Sequence, residues 1–125
     1  MIRTNVKIIF YVFIFIGYCD ASTQHDMDVN LRLATKANDT EAVKCLIDAG
    51  ADVDAVDPAG QTAFYWASSK GHLEVAKVLE ANGANMETKN KDRKSPIWIA
   101  TENRQVKIVE FLNQQGITLG KFRLF

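Results

Sequence analysis

The sequence is poor in the residues that chemistry and cross-linking draw on. Two cysteines in 125 residues exclude a disulfide-framework fold. The two histidines, His25 and His72, join no recognisable serine, histidine and acid pattern, so no catalytic constellation emerges and no enzyme is expected. There is no glycine-rich phosphate loop and no Cys/His set at zinc spacing, so neither a cofactor nor a metal is expected. Neither sign of charge prevails: 15 Lys+Arg face 15 Asp+Glu, which removes the broad field of a general nucleic-acid binder. What is present is apolar content, 47% of residues, too much for a disordered tail and, at this length, enough for one small domain.

The first residues differ from the rest. Arg3 and Lys7 precede an unbroken apolar run, Ile8 to Tyr18, followed by Cys19-Asp20-Ala21. As a helix the run rises about 16 Å, roughly half of a hydrocarbon core. It reads as a secretory signal peptide over 1–21, cut after Ala21 or, as second choice, after Cys19. An uncleaved membrane anchor and an apolar helix packed on the domain are the alternatives; a lipoprotein anchor on Cys19 is disfavoured by the large Tyr18 before it. The signal implies a secreted or periplasmic protein, with residues 22–27 as a flexible leader that includes His25. Without Arg3, Lys7 and Asp20 the mature chain keeps 13 basic and 14 acidic residues of the original 15 and 15. Charge still selects no partner. Cys45 alone then remains, and a lone cysteine forms no intrachain bridge.

An internal period organises the remainder. Gly50, Gly83 and Gly116 are spaced by 33 residues, as are Leu46, Leu79 and Leu112, and as are Ala34, Ala67 and Ala100. Thr62 and Ser95 are placed as N-caps of a short first helix, with Pro96 at a first helical position. That helix breaks at Gly71. A second begins near His72, runs through Leu73, Val75, Ala76, Val78 and Leu79, and stops at Asn82-Gly83 with glycine as left-handed cap. Asp57-Pro58-Ala59-Gly60 has the composition of a tight turn. Each unit is therefore helix, helix, hairpin.

These units resemble the ankyrin repeat. The family's threonine-proline-leucine-histidine opening appears as Thr62-Ala63-Phe64-Tyr65 and Ser95-Pro96-Ile97-Trp98, its second-helix pattern as Gly71 to Leu79, and its junction as Gly50 to Ala55. The resemblance covers about Asp28 to Gly116. It implies an all-α repeat, an ankyrin-type solenoid of stacked helix pairs joined by β-hairpin loops, with units near 28–56, 57–89 and 90–116 and a tail over 117–125. Tyr65 and Trp98 replace the family's histidine, so its network between hairpins is unavailable. Arg93 stands where Gly60 predicts glycine, and must adopt positive φ or reshape the turn. Ile117, Leu119, Phe122, Leu124 and Phe125 are expected to fold back over the last helix pair.

Most other features have ordinary structural roles. His72 marks a helix start, and Cys45 is a small buried hydrophobe. Asp52, Asp54 and Asp57 fail the calcium-loop pattern, whose twelfth position falls on Ala63. Asn38-Asp39-Thr40 fits a glycosylation acceptor, which chance also supplies. Phe64, Tyr65, Trp66 and Trp98 are mostly core, although Tyr65 and Trp98 can reach the concave face. In the family, hairpin tips and first helices form the concave face that holds partner proteins. Mapped onto this sequence, the contact residues are Lys36, Pro58, Ala59, Gln61, Ser69, Lys70, Lys89, Lys91, Asp92, Lys94, Glu102 and Asn103. Five are lysines, which points to an acidic partner surface. The expected function is a non-enzymatic, exported protein-binding module, monomeric, without nucleic acid or, after cleavage, membrane. An accessory or immunity-like protein stabilising one secreted enzyme or toxin is the alternative.

Overall fold

The computed structural model describes residues 24–119, so the segment read as a signal peptide and the tail from Phe122 to Phe125 lie outside the described residues. Six helices follow in order: α1 Gln24–Lys36, α2 Thr40–Asp48, α3 Ala63–Lys70, α4 Leu73–Ala81, α5 Pro96–Glu102 and α6 Val106–Gln114. They form three antiparallel pairs. The first helices pack in the row α1, α3, α5 and the second helices in the row α2, α4, α6. None of these helices is long and apolar enough to cross a membrane.

The sequence signals act where they stand. Thr62 Oγ1 accepts from Tyr65 N at 3.1 Å and Ser95 Oγ from Trp98 N at 3.4 Å, each filling an orphan donor at a helix start. At the other end, the glycines at 50, 83 and 116 have φ of 111°, 88° and 85°. Each lets the next amide turn back: Ala51 N, Ala84 N and Ile117 N donate to the carbonyls of Leu46, Leu79 and Leu112 at 3.0, 3.0 and 2.9 Å. Those leucines are fully buried with Leu31, Val43, Phe64, Val75 and Ile108. The repeated glycine and leucine thus belong to one device, a capped helix end pinned to the core.

Two expectations are corrected. The leader over 22–27 is helical from Gln24, because α1 is tethered to the junction beyond α2: Gln24 Nε2 donates to the Gly50 carbonyl at 3.0 Å, and Asp28 Oδ1 accepts from Asp52 N at 2.8 Å. Met27 packs on the core. Second, the connecting loops form no strand among the described residues. Each is a tight turn closed by two bonds: Asp57 N to Gln61 O and Gly60 N to Asp57 O in one, Asn90 N to Lys94 O and Arg93 N to Asn90 O in the next. Tyr65 is buried, in keeping with its mostly core reading, and does not reach the concave face. Arg93 adopts φ of 65° and leaves the turn's shape intact. Cys45 is buried in α2. Ile117 is in the core and Leu119 packs against it.

Candidate protein-binding surface

The surface is built from two kinds of element. Asp57 shapes the first hairpin tip, its Oδ1 accepting from Ala59 N and Gln61 N at 3.0 and 2.9 Å. Asn90, 33 residues later, does the same for Asp92 N and Lys94 N at 2.9 and 3.0 Å. Lys91 N donates to the Ala59 carbonyl at 3.0 Å, which locks the tips side by side. Pro58, Ala59, Lys91 and Asp92 are therefore presented together, exposed, on a fixed backbone. Exposed Lys89 lies at the approach to the second tip. Rigid tips reduce the entropy lost on binding.

The helix positions divide. Asn103 Nδ2 donates to Ser69 O and Ser69 Oγ at 2.9 and 3.1 Å, fastening the end of α5 to the end of α3. Lys94 Nζ lies 3.4 Å from Glu102 Oε1 across the same unit. Ser69, Asn103, Lys94 and Glu102 hold the scaffold as well as face solvent, a role the sequence reading did not assign them. Lys70 is exposed at the end of α3, and half-buried Gln61 lies under the first tip. Lys36 Nζ sits 4.1 Å from the centre of the Trp66 ring, a cation–π contact. Trp66 Nε1 also donates to Asp57 Oδ2 at 3.4 Å.

Trp66 is half-buried against Lys36 and Asp57 and Leu33 is exposed; neither was in the expected set. Leu33, Trp66 and Ile99 are the same position of successive units, and Leu33 is 52% exposed. The 33-residue register was the available signal. Tyr65 and Trp98 share the neighbouring position, yet Tyr65 is 5% exposed and Trp98 49%. Burial raises the Tyr65 phenol above its ordinary 10.0; Lys94 opposes the shift, Glu102 and Asp92 add to it, and the bond with Gln61 lowers it.

Among the described residues no three His, Cys, Asp or Glu side chains stand together as metal ligands. Asp52 and Asp54 are engaged in the junctions: Asp52 Oδ1 accepts from Asp54 N at 2.9 Å and Asp54 Oδ1 from Asn85 N at 2.8 Å. His72, at the start of α4, has Nε2 3.3 Å from the Lys36 carbonyl oxygen.

The family profile "Ankyrin repeats (3 copies)" matches residues 31–122. The chain belongs to the ankyrin-repeat family. It is 36% identical over 76 residues to neurogenic locus notch homolog protein 1 of Homo sapiens, covering 61% of this chain and 3% of that protein. It is 40% identical over 81 residues to alpha-latroinsectotoxin-Lt1a of Latrodectus tredecimguttatus, covering 60% of this chain and 6% of the toxin. A putative ankyrin repeat protein of Borreliella burgdorferi is 29% identical over 80 residues, covering 64% of this chain and 36% of its own length. The chain thus spans a small part of these relatives. Ankyrin repeats are protein–protein interaction modules.

Proposed function

We propose that the chain is a non-enzymatic binding module that holds a partner protein with its hairpin tips and the row α1, α3, α5. The observation that carries this reading is the hydrogen bond that the Lys91 backbone N–H donates to the Ala59 carbonyl, which fixes two exposed tips as one surface. Lys89, Lys91 and Arg93 are exposed there against the acids Asp92 and Asp57, the latter's carboxylate being engaged with the turn amides and Trp66, so the favoured partner surface is acidic. Export rests on the N-terminal pattern alone: Arg3 and Lys7, the run Ile8–Tyr18, and small residues at Cys19 and Ala21. The module acts as a monomer.

Two measurements test the reading. Photo-cross-linking from positions 59 and 91 of the exported protein identifies the partner, and its affinity is then measured for Lys89→Glu/Lys91→Glu/Lys94→Glu. Loss of about tenfold or more, with strong salt dependence, is expected; unchanged affinity removes the basic tips from the interface. Sequencing the mature N-terminus decides export: a start at Ser22 or Asp20 supports it, and an intact Met1 overturns it.

A further inference from the structure

No following unit lies over α5 and α6 among the described residues, and the effect is visible position by position. Tyr65, under the third unit, is covered; Trp98 at the same place is half exposed. Leu73 is half-buried, while its counterpart Val106 is 62% exposed. Beside Trp98 lies a groove of about 500 Å³ between the second hairpin turn, Asn90–Lys94, and the turn after α6. Ile97, Trp98, Ile117 and Leu119 give it apolar walls. Its charged lining consists of Lys89 and Arg93 against Glu87.

We infer that this end groove takes an extended segment of a partner protein in which an apolar side chain is flanked by carboxylates. The apolar residue covers the indole face and the side chains of Ile97 and Leu119, as the third unit covers Tyr65. The carboxylates meet Lys89 and Arg93, which outnumber Glu87; Lys94 is already engaged with Glu102 at 3.4 Å. The same charge count argues against a second copy docking face to face, since that sets two cations per chain against each other. Arg93 also holds positive φ where glycine serves one unit earlier, so its guanidinium is kept at the rim at a backbone cost. The inference rests on the reading that the chain binds protein, and Lys89 and Arg93 border both surfaces; Trp98→Ala and Ala59→Glu tell the two apart, because Trp98 lines the groove and Ala59 the tip.

The probe is a fluorescein-labelled hexapeptide with a central Leu-Phe pair between two glutamates on each side, titrated by anisotropy against the full chain, beside the same peptide with lysines for glutamates. The acidic peptide is expected to bind about tenfold more tightly than the basic one. Trp98→Ala and the double variant Lys89→Ala/Arg93→Gly should each weaken it by about fivefold or more, while Ala59→Glu at the hairpin tip leaves it unchanged. Arg93→Gly is chosen because Gly60 already occupies that conformation, so the fold is kept. Equal binding of both peptides, or insensitivity to Trp98→Ala, overturns the proposal. So does a concentration-dependent dimer in sedimentation that Trp98→Ala dissolves, which would assign the face to a second copy.

Discussion

Replacing Arg93 by glycine should stabilise the protein, an unusual result for removing a side chain. The turns Asp57–Gln61 and Asn90–Lys94 close with the same pair of bonds, and their third inner positions have φ of 81° at Gly60 and 65° at Arg93. An L-residue with a Cβ in the left-handed region carries about 1–2 kcal/mol of steric cost. Glycine removes that cost but loses roughly 0.4–1 kcal/mol through the greater freedom of the unfolded chain. The balance favours Arg93→Gly by about 0.5–1 kcal/mol, or about 2–5 °C in Tm for a domain of this size. Arg93→Ala is the control: it also removes the guanidinium but retains the Cβ, so it should stay at or below the parent. The guanidinium is exposed, and its charge contributes little to either variant. Calorimetry of the three proteins reads the difference. The reverse change is not symmetric, because a Cβ at Gly60 would lie 3.2 Å from Lys91 N and 3.3 Å from Asn90 Cα, in the bond that joins the tips. If Arg93→Gly is no more stable than Arg93→Ala, backbone strain at this position is refuted.

Two further outcomes follow from buried polar groups. Thr35, Ser68 and Thr101 are equivalent; the threonine hydroxyls donate to Leu31 O and Ile97 O at 2.9 and 2.8 Å, whereas Ser68 Oγ is buried without a hydrogen-bond partner. Ser68→Ala should therefore leave stability unchanged or raise it by up to about 1 kcal/mol in urea unfolding, and a clear loss would mean that the hydroxyl is bonded. Tyr65 is raised above 10.0 chiefly by burial, so the unfolded chain ionises first. Its contribution is full below about pH 10 and is lost as pH rises through the higher folded value. Comparing Tyr65→Phe with the parent at pH 9 and pH 11 should show the variant losing less stability; equal losses would place the alkaline sensitivity elsewhere.

How far the fold could be read from the sequence depended on the range of each cause. The glycines at 50, 83 and 116 and the leucines four residues before them mark a backbone requirement that is local and repeated, so spacing alone revealed it. The start of α1 was different. Gln24 and Asp28 are ordered by Gly50 and Asp52, 26 and 24 residues away, and no local propensity at 22–27 announces those partners. The surface residues show a second limit. Periodicity assigns Tyr65 and Trp98 one environment, but exposure is decided by whether another unit lies over them. Likewise the pairings of Ser69 with Asn103 and of Lys94 with Glu102 convert exposed polar residues into fasteners, which composition cannot distinguish from free contact residues.

The direction of those fasteners explains why the opening unit departs from the others. Between units, donors reach back toward the N-terminus: Lys91 N to Ala59 O, Asn85 N to Asp54 Oδ1, and Gln105 Nε2 to Ser69 O at 3.1 Å. Among the described residues no earlier unit offers such acceptors to the first one. The first unit answers with residues that need nothing before them. Where His72 and Gln105 reach back, Asp39 instead caps its own helix, Oδ1 accepting from Ala42 N at 3.1 Å. Where Asn85 N uses an acid of the preceding junction, Asp52 N uses Asp28 on α1. At the other end of the described residues Trp98 and Val106 remain exposed. Among the described residues the first unit thus satisfies these donors itself, whereas Trp98 and the groove beside it stay exposed in the last.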